Sequence, residues 1–183
     1  MQAVADELGV SRKALHYYVG DRQGLLSLVV IDRFETGIAG IELPAHADWQ
    51  SVLRSYAHAF RDGLVQVGVA VDHTPLRGAG ATAALTLAER VLDVMLAAGF
   101  PADDARRGLT ALATIAQAAA QSAIRAGTGQ HDYGAETAAA LADTDAHDYP
   151  SVRRALAGVS GSDADQFDFE LDVIIAGLAT LLV

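Results

Sequence analysis

Apolar positions recur along this chain at intervals of three and four residues, separated by short polar or glycine-bearing gaps, and that periodicity predicts helices from end to end. Val4, Ala5 and Leu8 form a first short run that stops at Gly9, a residue suited to the left-handed conformation that closes a helix. The pattern restarts after Ser11, whose hydroxyl can cap the next helix, as Arg12-Lys13-Ala14-Leu15-His16-Tyr17-Tyr18. Two short helices joined by a tight turn make a helix-turn-helix. Leu25, Leu28, Val29, Phe34 and Ile38 then predict one long connecting helix from Arg22 to about Ile41.

Pro44 ends that helix, and Asp48 is placed to cap a second amphipathic one through Trp49, Val52, Leu53, Tyr56, Ala57, Phe60, Leu64 and Val67. Residues 68–80, with Pro75, Gly68, Gly78 and Gly80, read as a loop. A helix over 82–98 follows, closed by Gly99-Phe100-Pro101. The longest candidate, 102–126, opens with Asp103-Asp104 against the helix dipole and carries small residues on every side, so it is expected to be buried all round. Residues 127–149, acidic and rich in Gly and Ala, predict a mobile loop with at most a weak helix, and 150–156 a short helix. The last segment, 163–183, has one stripe of Phe167, Leu171, Ile174, Leu178 and Leu182 and a second of Phe169, Val173 and Ala176. Two stripes exceed what one protomer's core requires.

Composition agrees with an all-α fold: apolar residues make up 51% of the chain but aromatics only 6%, so the cores are built from Leu, Val and close-packed Ala. With no cysteine there is no disulfide, thiolate ligand or thiol nucleophile. No signal sequence is evident, and the longest clean apolar run, 173–183, falls well short of the roughly 20 residues a bilayer needs. A cytoplasmic protein with no membrane partner is expected. The net charge of −10 is concentrated in residues 127–172, which hold ten acids and two arginines, whereas 11–22 is locally +2. The acidic total therefore leaves a small cationic patch free to meet phosphates.

The run from Val4 to Leu26, with its Val-Ala-x-x-Leu-Gly-Val-Ser opening, its Leu-aromatic centre and Asp21-Arg22 leading into Leu25-Leu26, resembles the DNA-binding signature of the TetR family of transcriptional regulators. The resemblance implies that Arg12, Lys13, His16 and Tyr17 face the major groove while Tyr18 and Arg22 hold phosphates; relatives usually carry Tyr at the place of His16. Ser11 opens the recognition helix, and Gln2 falls near the start of a helix that often touches DNA. The DNA-binding set is thus Gln2, Ser11, Arg12, Lys13, His16, Tyr17, Tyr18 and Arg22. Relatives have a further helix before the segment that begins here at Met1. Its absence from this chain is expected to leave Val4, Leu8 and Leu15 under-covered, so either the true start lies upstream or the head is incomplete.

Trp49-Gln50-x-x-Leu53-Arg54 through Phe60-Arg61, Pro150-x-x-Arg153 and Phe169-Glu170-Leu171-x-x-Ile174-Ile175-x-Gly177-Leu178 are similar to the C-terminal domain of the tetracycline-repressor branch. That branch holds tetracycline with magnesium through histidines, but the matching place on the connecting helix reads Asp32-Arg33-Phe34-Glu35-Thr36, and only His73 lies near the other. The six histidines show no metal-ligand spacing, so no metal and no cofactor is expected. His58, near Arg54 and Arg61, together with His73, Arg77 and Gln117, are the candidate ligand-binding residues.

The chain lacks a nucleophile elbow, a P-loop and a dinucleotide fingerprint, which argues against an enzyme. The expectation is an all-α protein with a helix-turn-helix head and connecting helix over 1–42 and a ligand-binding and dimerisation domain over 43–183. It would act as a homodimeric repressor on double-stranded, palindromic operator DNA and be released by a small-molecule inducer. The alternative is an all-α small-molecule-binding dimer that has lost DNA binding through its shortened head.

Overall fold

The computed structural model describes residues 1–45, 47–68, 79–127, 133–145, 147–158 and 163–182. Among them are nine helices: α1 (Gln2–Glu7), α2 (Arg12–Val19), α3 (Arg22–Ala39), α4 (Trp49–Val67), α5 (Ala79–Ala97), α6 (Ala102–Gly127), α7 (Tyr133–Ala142), α8 (Pro150–Ala157) and α9 (Asp163–Ala179).

The local signals act as the periodicity predicts. Gly9 adopts φ 65°, and the N–H groups of Gly9 and Val10 donate to the carbonyls of Asp6 and Ala5, which satisfies the free end of α1. The Ser11 hydroxyl accepts from Ala14 N–H at 3.1 Å to start α2, and the Asp48 carboxylate accepts from Ser51 N–H at 2.9 Å to start α4. Those bonds hold the Asp48 carboxyl below its ordinary range, because they favour the ionised form.

The core forms where α4 packs on α6, α3 and α5 and where α9 lies along α6. Leu53, Val91, Met95, Leu112 and Leu171 are fully buried there. Trp49 meets Phe100 edge-on at 5.0 Å and pins the start of α4 to the α5–α6 turn. On the other side of α4, Arg54 pairs with Asp172 and His58 Nε2 lies 3.1 Å from Asp168, which ties α4 to α9.

Four expectations are corrected. The long helix α6 buries one stripe, Ala105, Gly108, Leu112, Ala116 and Ala120, while Thr110, Thr114 and Ala118 are exposed, because only one side meets α4, α5 and α9. On α3 the buried positions are Val30 and Phe34, whereas Leu28 and Val29 are exposed, because only one side of the helix meets its neighbours. Leu15, expected to be under-covered, is buried where α2 packs on α1 and α3, whereas Leu8 is 61% exposed as expected. Finally, the segment expected to be a loop contains the ten-residue α7. Its C-terminal carbonyls are held by Arg153 of α8, which donates to the backbone oxygens of Leu141 and Asp145 and to the Thr144 hydroxyl at 2.7–2.9 Å.

Candidate functional site: a nucleic-acid interface and an aromatic interior

The head is α1, the Gly9 turn, α2 and the start of α3. α2 packs on α1 and α3 through Leu15, and this fixes which way its polar side chains point. Arg12, Lys13, His16, Tyr17 and Tyr18 are all exposed. Tyr17 and Tyr18 are 84% and 80% exposed and lean edge-to-face on each other with ring centres 5.4 Å apart. Large aromatics this exposed are unusual in a folded chain and mark a contact surface. Among the described residues, Arg12, Lys13 and Arg22 are not engaged in an ion pair, so their charges are available to a polyanion.

Two members of the sequence set are partly occupied. Ser11 serves as the cap of α2, with its acceptor used by Ala14, and Gln2 donates to Asp6 at 2.8 Å. Asp21, just before Arg22, accepts from Gly24 N–H at 2.9 Å and caps α3; that bond, chiefly, keeps its carboxyl below the usual range. A fixed anion there orients the first turn of α3, and Arg22 stands exposed at its tip.

Two of the four ligand-binding candidates fall among the described residues. His58 is half-exposed against α9, its ring edge-on to Phe167 at 5.2 Å, and Gln117 is exposed on α6. His73 and Arg77 lie outside the described residues. Arg61 lies over the Phe167 ring at 5.5 Å with its Nε buried and without an acceptor. Among the described residues, no group of three or more metal-ligating side chains comes together.

The apolar face of α4 is built from specific aromatic contacts. Tyr56 and Phe60, one helical turn apart on α4, stack with ring centres 5.7 Å apart and planes 10° from parallel. Phe34 of α3 meets Phe60 edge-on at 6.5 Å. Tyr56 is 5% exposed, and burial alone pushes its phenol up to about 12. The i, i+4 aromatics were legible in the sequence, but nothing there distinguished them from ordinary core.

Residues 43–182 match the family described as tetracyclin repressor-like, C-terminal domain. No curated protein matches the chain. Among solved structures, a possible TetR family transcriptional regulator from Streptomyces coelicolor A3(2) superposes with a TM-score of 0.76 at 22% identity, covering 98% of this chain and 88% of that one. Apo ActR from Streptomyces coelicolor gives 0.71 at 22%, covering 98% and 86%. A TetR variant from Acinetobacter baumannii AYE, solved with minocycline, gives 0.66 at 18%, covering 100% and 86%. At these identities the likeness concerns the fold. No helix among the described residues is long and apolar enough to cross a membrane.

Proposed function

Since the chain belongs to the TetR family of transcriptional regulators, through its tetracyclin repressor-like C-terminal domain, we propose that it is a ligand-responsive repressor working as a cytoplasmic homodimer on a palindromic operator. Residues 1–42 form the DNA-binding head and connecting helix, and 43–183 the ligand-binding and dimerisation domain. The observation that carries the DNA-binding reading is α2 itself: a capped helix whose exposed face holds Arg12, Lys13, His16, Tyr17 and Tyr18. In such a motif the start of the second helix enters the major groove and reads base edges.

Solved relatives support a small-molecule effector. ActR has been solved in complex with (S)-DNPA, and the Acinetobacter protein with minocycline. In this chain α3 spans from α2 to the packing against α4 and α5, so a ligand that shifts α3 on those helices moves the head.

Lys13→Ala is expected to weaken binding to DNA from the neighbouring intergenic region by at least about tenfold and to lower the salt slope of the affinity by about one. A salt-controlled gel shift checks this, with dimer mass followed in parallel; unchanged affinity removes Lys13 from the interface. Failure of the unaltered protein to retard any such DNA removes the repressor reading.

The dimer reading rests on the outer stripe of α9. Phe169 is 63% exposed and Val173 55%, one helical turn apart on α9, and α6, on which α9 packs, also has an exposed side. Such apolar area facing water marks a contact surface, and two copies of α6 and α9 make a four-helix seam. The double change Phe169→Asp with Val173→Asp is expected to yield monomers in sedimentation velocity with helical content unchanged. A dimer that survives it places the interface elsewhere.

A further inference from the structure

The connecting helix α3 abuts α2 at its first turn, where Gly24 lies against the Val19 carbonyl, and lies along α4 in its second half. There Phe34 meets Phe60 edge-on, and a β-carbon at Gly37 would fall 3.6 Å from the Gly63 Cα. Glycine facing glycine brings two backbones close without ridges that interlock, and apolar ring contacts have no bond direction. Such contacts resist separation but set the tilt of α3 only weakly. Direction comes from two arginines. Arg33 Nη1 of α3 donates at 3.4 Å to the carbonyl of Gln66, in the last turn of α4, where carbonyls lack partners within the helix and the dipole favours a cation. Arg90 Nη1 of α5 donates at 3.3 Å to the carbonyl of Ile41, just beyond the end of α3. The rear of α3 is thus gripped from both helices it packs on.

Building on the repressor reading above, we propose that Arg33 and Arg90 are positioning residues that fix the tilt of α3 and, through it, the half-site spacing that the two heads of a dimer accept. From Gly37 forward to Arg22 the helix runs roughly 22 Å, so a tilt of about 5° at the crossing carries the head about 2 Å. Two arms double this to about 4 Å, more than the roughly 3.4 Å rise of one base pair. A hold that fails by a few degrees therefore loses the register between half-sites. Both arginines are exposed, so water competes for their bonds and the grip yields at low cost, which suits a spacing that has to change when the repressor is released.

The chain has no cysteine, so Gln23→Cys on α3 and Gln50→Cys on α4 admit one spin label each on the intact protein. Dilution with unlabelled protein leaves only the distance within one protomer. With Arg33 and Arg90 present, that distance is expected to be narrowly distributed; with Arg33→Ala and Arg90→Ala combined, it is expected to shift or broaden by about 2 Å or more. Gel shifts then use the footprinted intergenic DNA with none, one or two base pairs inserted between its half-sites. One inserted pair is expected to weaken wild-type binding about tenfold and the double variant less than about threefold, with the melting temperature unchanged. Arg33→Lys, which keeps a cationic donor at the end of α4, is expected to restore most of the discrimination lost in Arg33→Ala. An unaltered distance distribution in the double variant overturns the proposal. So does wild-type discrimination between spacings once the distance has shifted. If wild-type protein retards no intergenic DNA, the repressor reading falls and takes the half-site spacing with it, while the label distance still decides whether the two arginines hold α3.

Discussion

Replacing Phe167 by alanine is expected to cost about 3–5 kcal/mol and to lower the melting temperature by roughly 10 °C or more. Phe167 is 1% exposed, at the start of α9, where the His58 ring and the Arg61 guanidinium of α4 both lie against it. Truncation removes the ring that both α4 side chains lean on and leaves a cavity that the helical backbones on either side cannot collapse to fill. The surrounding ion pairs offer little compensation, since Asp168 and Asp172 are about 60% exposed and pairs in water are worth little. Because α9 also carries the outward stripe of Phe169 and Val173, dimer mass is expected to become concentration-dependent in the same variant. Thermal melts and sedimentation check both effects; a melting temperature within about 2 °C of wild type would falsify the assignment of Phe167 as the anchor of α9.

Gly24→Ala is expected to abolish specific DNA retardation while leaving the melt of the remaining helices in place. A β-carbon built at Gly24 falls 2.0 Å from the carbonyl oxygen of Val19, an atom of the α2 backbone that no rotamer change can move. Relief requires displacing α3 from the end of α2, a cost in the range of about 1–3 kcal/mol for overpacking that the small head, with Ala5 and Leu15 as its buried residues on α1 and α2, is poorly able to absorb. Hydrogen exchange is expected to accelerate across α1 and α2 and to stay slow in α4 and α6. Wild-type DNA affinity in this variant shows that the α2–α3 junction can adjust, and sinks the prediction.

The stability of the head and the identity of its contacts were legible to different degrees. Ser11, Gly9 and Asp21 could be read directly, because a cap, a left-handed glycine and a helix start depend on neighbours within a few residues. Asp48 belongs with them, and α4 spans the predicted range. The clash that makes Gly24 obligatory was not legible: it depends on how sharply α3 turns back on α2. α7 was legible only as a possible weak helix, for a related reason. Its alanines and acids give no strong periodicity, and its end is held by Arg153, which reaches back from the next helix to carbonyls up to twelve residues earlier.

The candidate site divides in the same way. Arg12, Lys13, His16, Tyr17 and Tyr18, proposed to contact DNA, lie on the one short helix α2, whose single buried residue is Leu15, so their exposure follows from spacing. The interior site does not reside on one element. Tyr56 was recognisable as one more member of an apolar stripe, but its link through Phe60 to Phe34 exists only once α3 and α4 cross. For His58 the sequence shows the neighbouring arginines, whereas its contacts with Asp168 and Phe167 exist only once α9 packs on α4.

By itself, then, the sequence determined the helical class, the boundaries set by caps and glycines, and the polar face of α2, all of which are governed by interactions over a turn or two. Tertiary structure alone decided which stripes of α3, α6 and α9 meet other helices and which face water. It also decided which guanidinium nitrogen is buried without a partner, that of Arg61, and which glycine has no room for a methyl group, Gly24. Those outcomes depend on distances between segments far apart in the chain, and periodicity along one helix carries no record of what packs against it.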